Sequence, residues 1–230
     1  TLALGSASLT PLELATGYAV FANGGYLVKP YVITKILDDQ NNLIFEHVPV
    51  PVCSDCEQQD LAAKAAAEQA AKEAAALAET ADAEAQLEAT FAQQTAPTEQ
   101  AAVAEVPAYA PRVLSAQNSF LIADALKSSI WGGGDWKAGT GWLGTAHRLR
   151  ELKRQDLSGK TGTTNDVKDA WFSGFSPDLV VTSWVGFDDA ESRLGKTAWN
   201  NNLGKDQIAG GESGAKTALP AWQEFVGFAL

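Results

Sequence analysis

Hydrophobic and polar positions recur along this chain with two different periods, and the changes of period mark out its elements. Thr10-Pro11-Leu12-Glu13 spells a capping box with proline in the first helical turn, and Leu14, Tyr18 and Phe21 then recur at helical spacing until Asn23-Gly24-Gly25. This predicts an amphipathic helix. Tyr31 to Leu37 and Leu43 to Glu46 are strand-like runs on either side of the polar turn Asp38-Asp39-Gln40-Asn41-Asn42, which predicts a hairpin at the domain edge. Ser115 can cap a second helix with Phe120, Leu121, Ala125, Leu126 and Ile130 on its apolar side, ending at Trp131-Gly132-Gly133-Gly134. Leu157 to Thr163, Ala170 to Ser176 and Leu179 to Phe187 read as three successive strands, with Ser176-Pro177-Asp178 as a turn. Pro220 opens a last helix whose Trp222, Phe225, Val226 and Ala229 are expected to pack on that sheet. The fold class predicted is α/β of the α+β type, an antiparallel sheet flanked by helices.

One stretch stands apart from this pattern. From about Gln58 to Gln100 alanine predominates, with Glu, Gln and Lys as most of the rest, so helix propensity is high and apolar burial poor. Leu61, Leu77, Leu87 and Phe91 are too sparse for a coiled-coil seam. A mobile, solvated insertion is expected over residues 55–106, between two parts of one domain at 1–54 and 107–230, with a docking segment for a partner as the other reading. The insertion also carries the charge. The chain has a net charge of −11, and between Asp55 and Glu105 eleven acids face two lysines. The remainder is close to neutral and has no basic stripe, which argues against a nucleic-acid partner. With no methionine, no apolar run near the roughly 18 residues of a membrane span, and no signal-peptide pattern, the chain is expected to be a piece of a larger protein.

Chemistry concentrates at Leu157-Ser158-Gly159-Lys160-Thr161-Gly162-Thr163-Thr164, followed by Asp169-Ala170-Trp171-Phe172-Ser173-Gly174-Phe175. Small residues and a lysine on a strand let a ligand lie against the backbone as an added strand, while an ammonium and hydroxyls hold an anionic group. Trp171, Phe172 and Phe175 are assigned to core packing. A phosphate-binding loop is excluded, because the glycine needed five residues before Gly159 is Arg154. Cys53 and Cys56 admit three readings: a redox pair, half of a zinc site, or a local disulfide. Zinc would need two further ligands, and His47 and His147 are each isolated, so no metal and no cofactor is expected.

The run at Lys160-Thr161-Gly162, with Leu9 to Gly25 upstream and Gly214-Ala215-Lys216-Thr217-Ala218-Leu219-Pro220-Ala221-Trp222 downstream, resembles the transpeptidase domain of bifunctional class A penicillin-binding proteins, nearest the 1A type of Gram-negative bacteria. The resemblance implies a peptidoglycan D,D-transpeptidase that acts on D-Ala-D-Ala stem peptides through an acyl-serine and is trapped by β-lactams. Lys160 would supply positive charge and manage a proton; Thr161 and Thr163 would bind the substrate carboxylate; the Thr163 N–H would be one oxyanion donor. Gly162 would leave room for the acyl chain, Thr164 would line the same site, and Gly139-Thr140-Gly141 resembles a Gly-Thr-Gly that relatives place near the cleft. The family's second motif is missing, since no Ser-x-Asn or Tyr-x-Asn occurs. Ser213-x-x-Lys216 matches the nucleophile motif by spelling, but it follows Lys-Thr-Gly where the family's nucleophile precedes it. The resemblance implies that the nucleophile, the second motif, a membrane anchor and a glycosyltransferase half lie upstream, with the domain on the periplasmic side of the inner membrane; an insertion that docks a periplasmic regulator belongs to the scaffold alternative. A non-catalytic scaffold and a D,D-carboxypeptidase are the alternatives.

Overall fold

The computed structural model describes residues 7–81, 109–189, 191–202 and 207–230. About half of the predicted insertion, residues 82–106, therefore lies outside the described residues. The chain divides into two compact units, one of residues 1–48 with 111–230 and the other of residues 49–110.

In the first unit, helix α1 (Pro11–Ala22) begins as its sequence requires. Glu13 N–H donates to Thr10 Oγ1 at 3.2 Å, and Thr10 N–H donates back to the Glu13 carboxylate at 2.8 Å. Strands β1 (Lys35–Leu37) and β2 (Leu43–Glu46) form the expected hairpin, closed where the Asp38 carboxylate accepts from Gln40 N–H and Asn42 N–H. β1 is shorter than its apolar run. Residues 31–34 find only one continuation, His47 N–H to Thr34 O, because the partner strand ends at Glu46.

Strands β3 (Ser158–Thr163), β4 (Ala170–Phe175) and β5 (Val180–Val185) make an antiparallel sheet in that order. Cross-strand partners share a face, so Phe172 and Gly174 look one way and Trp171, Ser173 and Phe175 the other. Helix α4 (Leu219–Ala229) covers the first face: the Phe172 and Trp222 rings meet edge to face at 5.0 Å, and Trp222 Nε1 donates to Val181 O. Helices α1 and α3 (Ala116–Trp131) pack on the second, where Tyr18 meets Phe175 and Ser158 Oγ donates to Ala123 O at 2.8 Å. Leu149, Leu157, Phe172, Leu219, Trp222 and Val226 are fully or almost fully buried between these layers.

Two helix faces differ from the sequence expectation. In α3 the buried side carries Ser119, Ser129 and Ile130, whereas Phe120 and Leu121 are 66% and 62% exposed. Serine suits this place because its small side chain permits close approach and its hydroxyl satisfies a carbonyl: Ser119 Oγ donates to Phe21 O, and Ser129 Oγ to Gly159 O. In α4 the buried line is Leu219, Trp222 and Val226, with Phe225 and Ala229 exposed. Phe225 lies roughly a quarter-turn off the line through Trp222 and Val226.

The second unit is described by helix α2 (Ser54–Ala81) and the segments flanking it. Cys53 and Cys56 form a disulfide at the start of α2. Tyr109 Oη donates to Asp60 Oδ2 at 2.7 Å, and Ala110 N–H to Pro51 O. The side chains of α2 through Glu73 are mostly exposed, as its composition requires.

Short strands β6 (Lys196–Thr197) and β7 (Gly210–Gly211) pair in the first unit and lead through Glu212 into a wide helical turn, Gly214–Ala218, that precedes α4. Among the described residues no helix is long and apolar enough to cross a membrane.

Candidate functional site

β3 is an edge strand whose outer side no strand covers among the described residues. Its close approach to β4 depends on glycine: a Cβ at Gly159 would lie 2.8 Å from the Phe172 ring and from Ser173 O. In an antiparallel strand the N–H and C=O of one residue leave on the same side, and successive residues alternate. Gly159 C=O faces away from β4, where it accepts from Ser129 Oγ at 2.6 Å, and Thr164 N–H faces inward, donating to Asp169 O at 3.1 Å. The backbone groups of Thr161 and Thr163 therefore point outward, ready to pair with an extended ligand.

The side chains complete this edge. Lys160 is exposed, and its Nζ donates to Thr161 O at 3.1 Å and to Thr161 Oγ1 at 3.3 Å. Thr163 Oγ1 accepts from Gly214 N–H at 3.0 Å, which leaves its own proton free to donate elsewhere. Gly162 sits opposite Trp171 on β4. The edge thus offers an ammonium, two hydroxyls and two outward N–H groups along one line, a set suited to an anionic peptide. Phe172 and Phe175 are buried and serve the core, while Trp171 is half-buried beside Trp184, with ring centroids 5.7 Å apart.

Three expected site residues do not join this edge. The hydroxyl of Thr164 accepts from Asp169 N–H at 2.7 Å and so closes the turn over residues 165–168. Gly139 and Thr140 belong to a local turn in which Thr140 Oγ1 accepts from Asp135 N–H and Thr140 N–H donates to Asp135 O. Instead, a second Gly-Thr pair five residues on reaches β3. Gly144 packs against Ser129 O, and Thr145 Oγ1 lies 3.1 Å from Thr161 Oγ1. The repeated spelling was visible in the sequence, but only the packing of Gly144 on α3 selects between the two copies. Thr145 and Lys160 also border an open depression of about 430 Å³ whose floor is Ile122, Leu126, Trp142 and Leu143.

The Ser213-x-x-Lys216 spelling does not make a nucleophile and base. Lys216 Nζ donates to Glu212 Oε1 at 2.7 Å and to Gly210 O at 2.8 Å. Burial pushes the Glu212 carboxyl upward, but the bonds from Lys216, Thr197 and Thr217 outweigh it and hold the group at about 2, below its ordinary 4.5. A depressed carboxyl contributes stability that is complete above the unfolded value and is lost as pH falls through the folded one. Acid unfolding should therefore show a component between about pH 4.5 and about 2 that Glu212→Gln removes; circular dichroism against pH for the two proteins checks it.

The sequence profile of the penicillin binding protein transpeptidase domain matches residues 1–198. The chain is 44% identical over 231 residues to penicillin-binding protein 1A of Vibrio cholerae, covering 100% of this chain and 23% of that protein. It is 44% identical over 232 residues to penicillin-binding protein 1A of Escherichia coli, covering 98% of this chain and 26% of the relative. Among solved structures it is similar to the crystal structure of penicillin-binding protein 1A from Haemophilus influenzae, with a TM-score of 0.64 and 36% identity over 100% of this chain and 27% of that one. The chain spans about a quarter of the length of these relatives.

Proposed function

The chain belongs to the penicillin-binding protein transpeptidase family, and we propose that it is the Lys-Thr-Gly wall of a peptidoglycan D,D-transpeptidase whose nucleophilic serine lies outside these residues. The observation that carries this reading is the uncovered edge of β3, where the backbone of Thr161 and Thr163 faces outward beside the Lys160 ammonium. A D-Ala-D-Ala stem peptide would pair along that edge, with its terminal carboxylate at the hydroxyls of Thr161 and Thr163. The serine oxygen would attack the penultimate carbonyl, the Thr163 N–H would stabilise the oxyanion, and the C–N bond to the terminal D-Ala would break. An amine of a neighbouring stem would then displace the serine and leave a cross-link. Lys160 fits the proton-handling role because its ammonium is a compact point charge with three donors on a flexible stem, set beside the Thr161 hydroxyl.

The same reading places the site on the periplasmic side of the inner membrane, with an anchor and a glycosyltransferase half upstream and the acidic Ala-rich segment as a contact for a periplasmic regulator. β-Lactams would stop the reaction at the acyl-serine.

Fluorescent-penicillin labelling of the full-length protein and of this chain alone tests the reading. A covalent label on the former and none on the latter supports a site completed from outside the chain; a label held by this chain overturns that division and makes Ser213 the first suspect. Thr145 offers a graded companion test. Thr145→Val removes the hydroxyl partner of Thr161, about 1 kcal/mol of net hydrogen bonding, so labelling should slow roughly fivefold. The labelling rate at limiting penicillin measures it.

A further inference from the structure

The carboxylate of Glu212 is engaged on every side. Lys216 Nζ donates to its Oε1 at 2.7 Å, Thr197 Oγ1 donates to the same oxygen, and Thr217 Oγ1 donates to Oε2. The side chains of Glu212 and Lys216 are only 13% and 10% exposed. Three separate pieces of chain meet at this ion pair: the β6 strand through Thr197 on the carboxylate, the β7 strand through Gly210 O, which accepts from Lys216 Nζ, and the Gly214–Ala218 turn through Lys216 and Thr217. The turn in turn presses on the site. Gly214 N–H donates to Thr163 Oγ1 at 3.0 Å, and Gly214 sits so near β3 and β4 that a Cβ there would fall 2.4 Å from Gly162 O and 2.3 Å from Trp171 O.

We propose that Glu212 is a positioning residue for the carboxylate-binding end of the site, clamping the β6–β7 ribbon to the Gly214 turn so that Gly214 N–H holds Thr163 Oγ1 and directs the Thr163 proton outward to an anionic ligand. The inference rests on the transpeptidase reading above. A threonine hydroxyl rotates freely unless its oxygen is engaged; once Gly214 N–H occupies one lone pair, the O–H is left to donate toward the open edge of β3. A buried ammonium that loses its counter-charge must find water or another partner, so neutralising Glu212 frees the turn and with it the Gly214 N–H.

The test measures acylation of the full-length protein by a carboxylate-bearing penicillin and by its methyl ester, in wild type, Glu212→Gln, Thr163→Val and the double variant. A hydrogen bond to a charged group corresponds to about tenfold or more in rate, so each single variant should cut the preference for the free acid by about tenfold, and the double variant by no more than either. Equal slowing of acid and ester by Glu212→Gln, no slowing of either, or multiplicative loss in the double variant overturns the proposal. Thr217→Val, which removes one bond to the carboxylate and keeps the ion pair, should move the same preference in the same direction by a smaller factor, and it stands in if Glu212→Gln does not fold. Amide exchange of the segment at Gly214 supplies a readout independent of acylation: faster exchange in Glu212→Gln, with the Trp222 segment unchanged, is expected, and unchanged exchange at Gly214 overturns the clamp. A wild type acylated by neither compound overturns the transpeptidase reading, and with it the ligand assigned to the clamp, while the exchange result still decides whether Glu212 holds Gly214.

Discussion

Lys160→Ala should lower the acylation rate of the full-length protein by penicillin roughly a hundredfold to a thousandfold, the range for removing a positioned proton-transfer group. The loss should come without a loss of fold. Lys160 is exposed, and the only bonds its side chain makes among the described residues go to the backbone and hydroxyl of its neighbour Thr161, so thermal unfolding should be nearly unchanged. Lys160→Arg should not restore the rate. Its guanidinium keeps the charge but cannot release a proton near neutral pH, and its planar fork is larger than the ammonium it replaces. Rates measured by fluorescent labelling, beside melting curves of the same preparations, check both statements. A Lys160→Arg protein that labels at the wild-type rate would reduce the role of Lys160 to charge alone.

Gly214→Ala should have the second-largest effect, and through the backbone rather than through any functional group. A Cβ there would meet Trp171 O at 2.3 Å, Gly162 O at 2.4 Å and Gly162 N at 3.0 Å, all of them backbone atoms that cannot swing aside. Either the turn lifts from the sheet or the end of β3 moves. Forcing atoms into a packed region costs about 1–3 kcal/mol, and here two of the three crowded atoms belong to Gly162 on the proposed oxyanion strand, so labelling should fall together with the melting temperature. Gly17→Ala is the matching control. Nothing lies within 4 Å of a Cβ at Gly17, and it sits inside α1, where alanine is the better helix former by about 1 kcal/mol. That variant should be at least as stable as wild type and label normally.

These contrasts show where the sequence is legible. The capping box at Thr10 and Glu13, the cap at Ser115 and the three strands from Ser158 to Val185 could be placed closely, because each depends on contacts between residues near in sequence. Lys160, Thr161, Gly162 and Thr163 could be singled out for the same reason: a glycine-punctuated polar strand has few other uses. The faces of α3 and α4 were harder to read. Phe120, Leu121 and Phe225 look like core residues and are exposed, while Ser119 and Ser129 look like surface residues and are buried. Size and polarity favour one face, but the carbonyls of α1 and β3 waiting for a donor favour the other, and those carbonyls are 98 and 30 residues away.

By itself, then, the sequence determined helices α1, α3 and α4 and strands β1 to β5, including the strand that carries the candidate site, since these follow from local periodicity and capping, and its Lys-Thr-Gly run with the flanking segments carried the resemblance to the family that the profile match shows. Only the tertiary structure decided which Gly-Thr pair reaches β3, which hydroxyls stay on its open edge once Thr164 closes its own turn, and that Glu212 and Lys216 hold the Gly214 turn against Thr163. The physical reason is that local rules specify which residues share a face, whereas the partner on that face is chosen by how distant segments fill space and satisfy buried polar groups together.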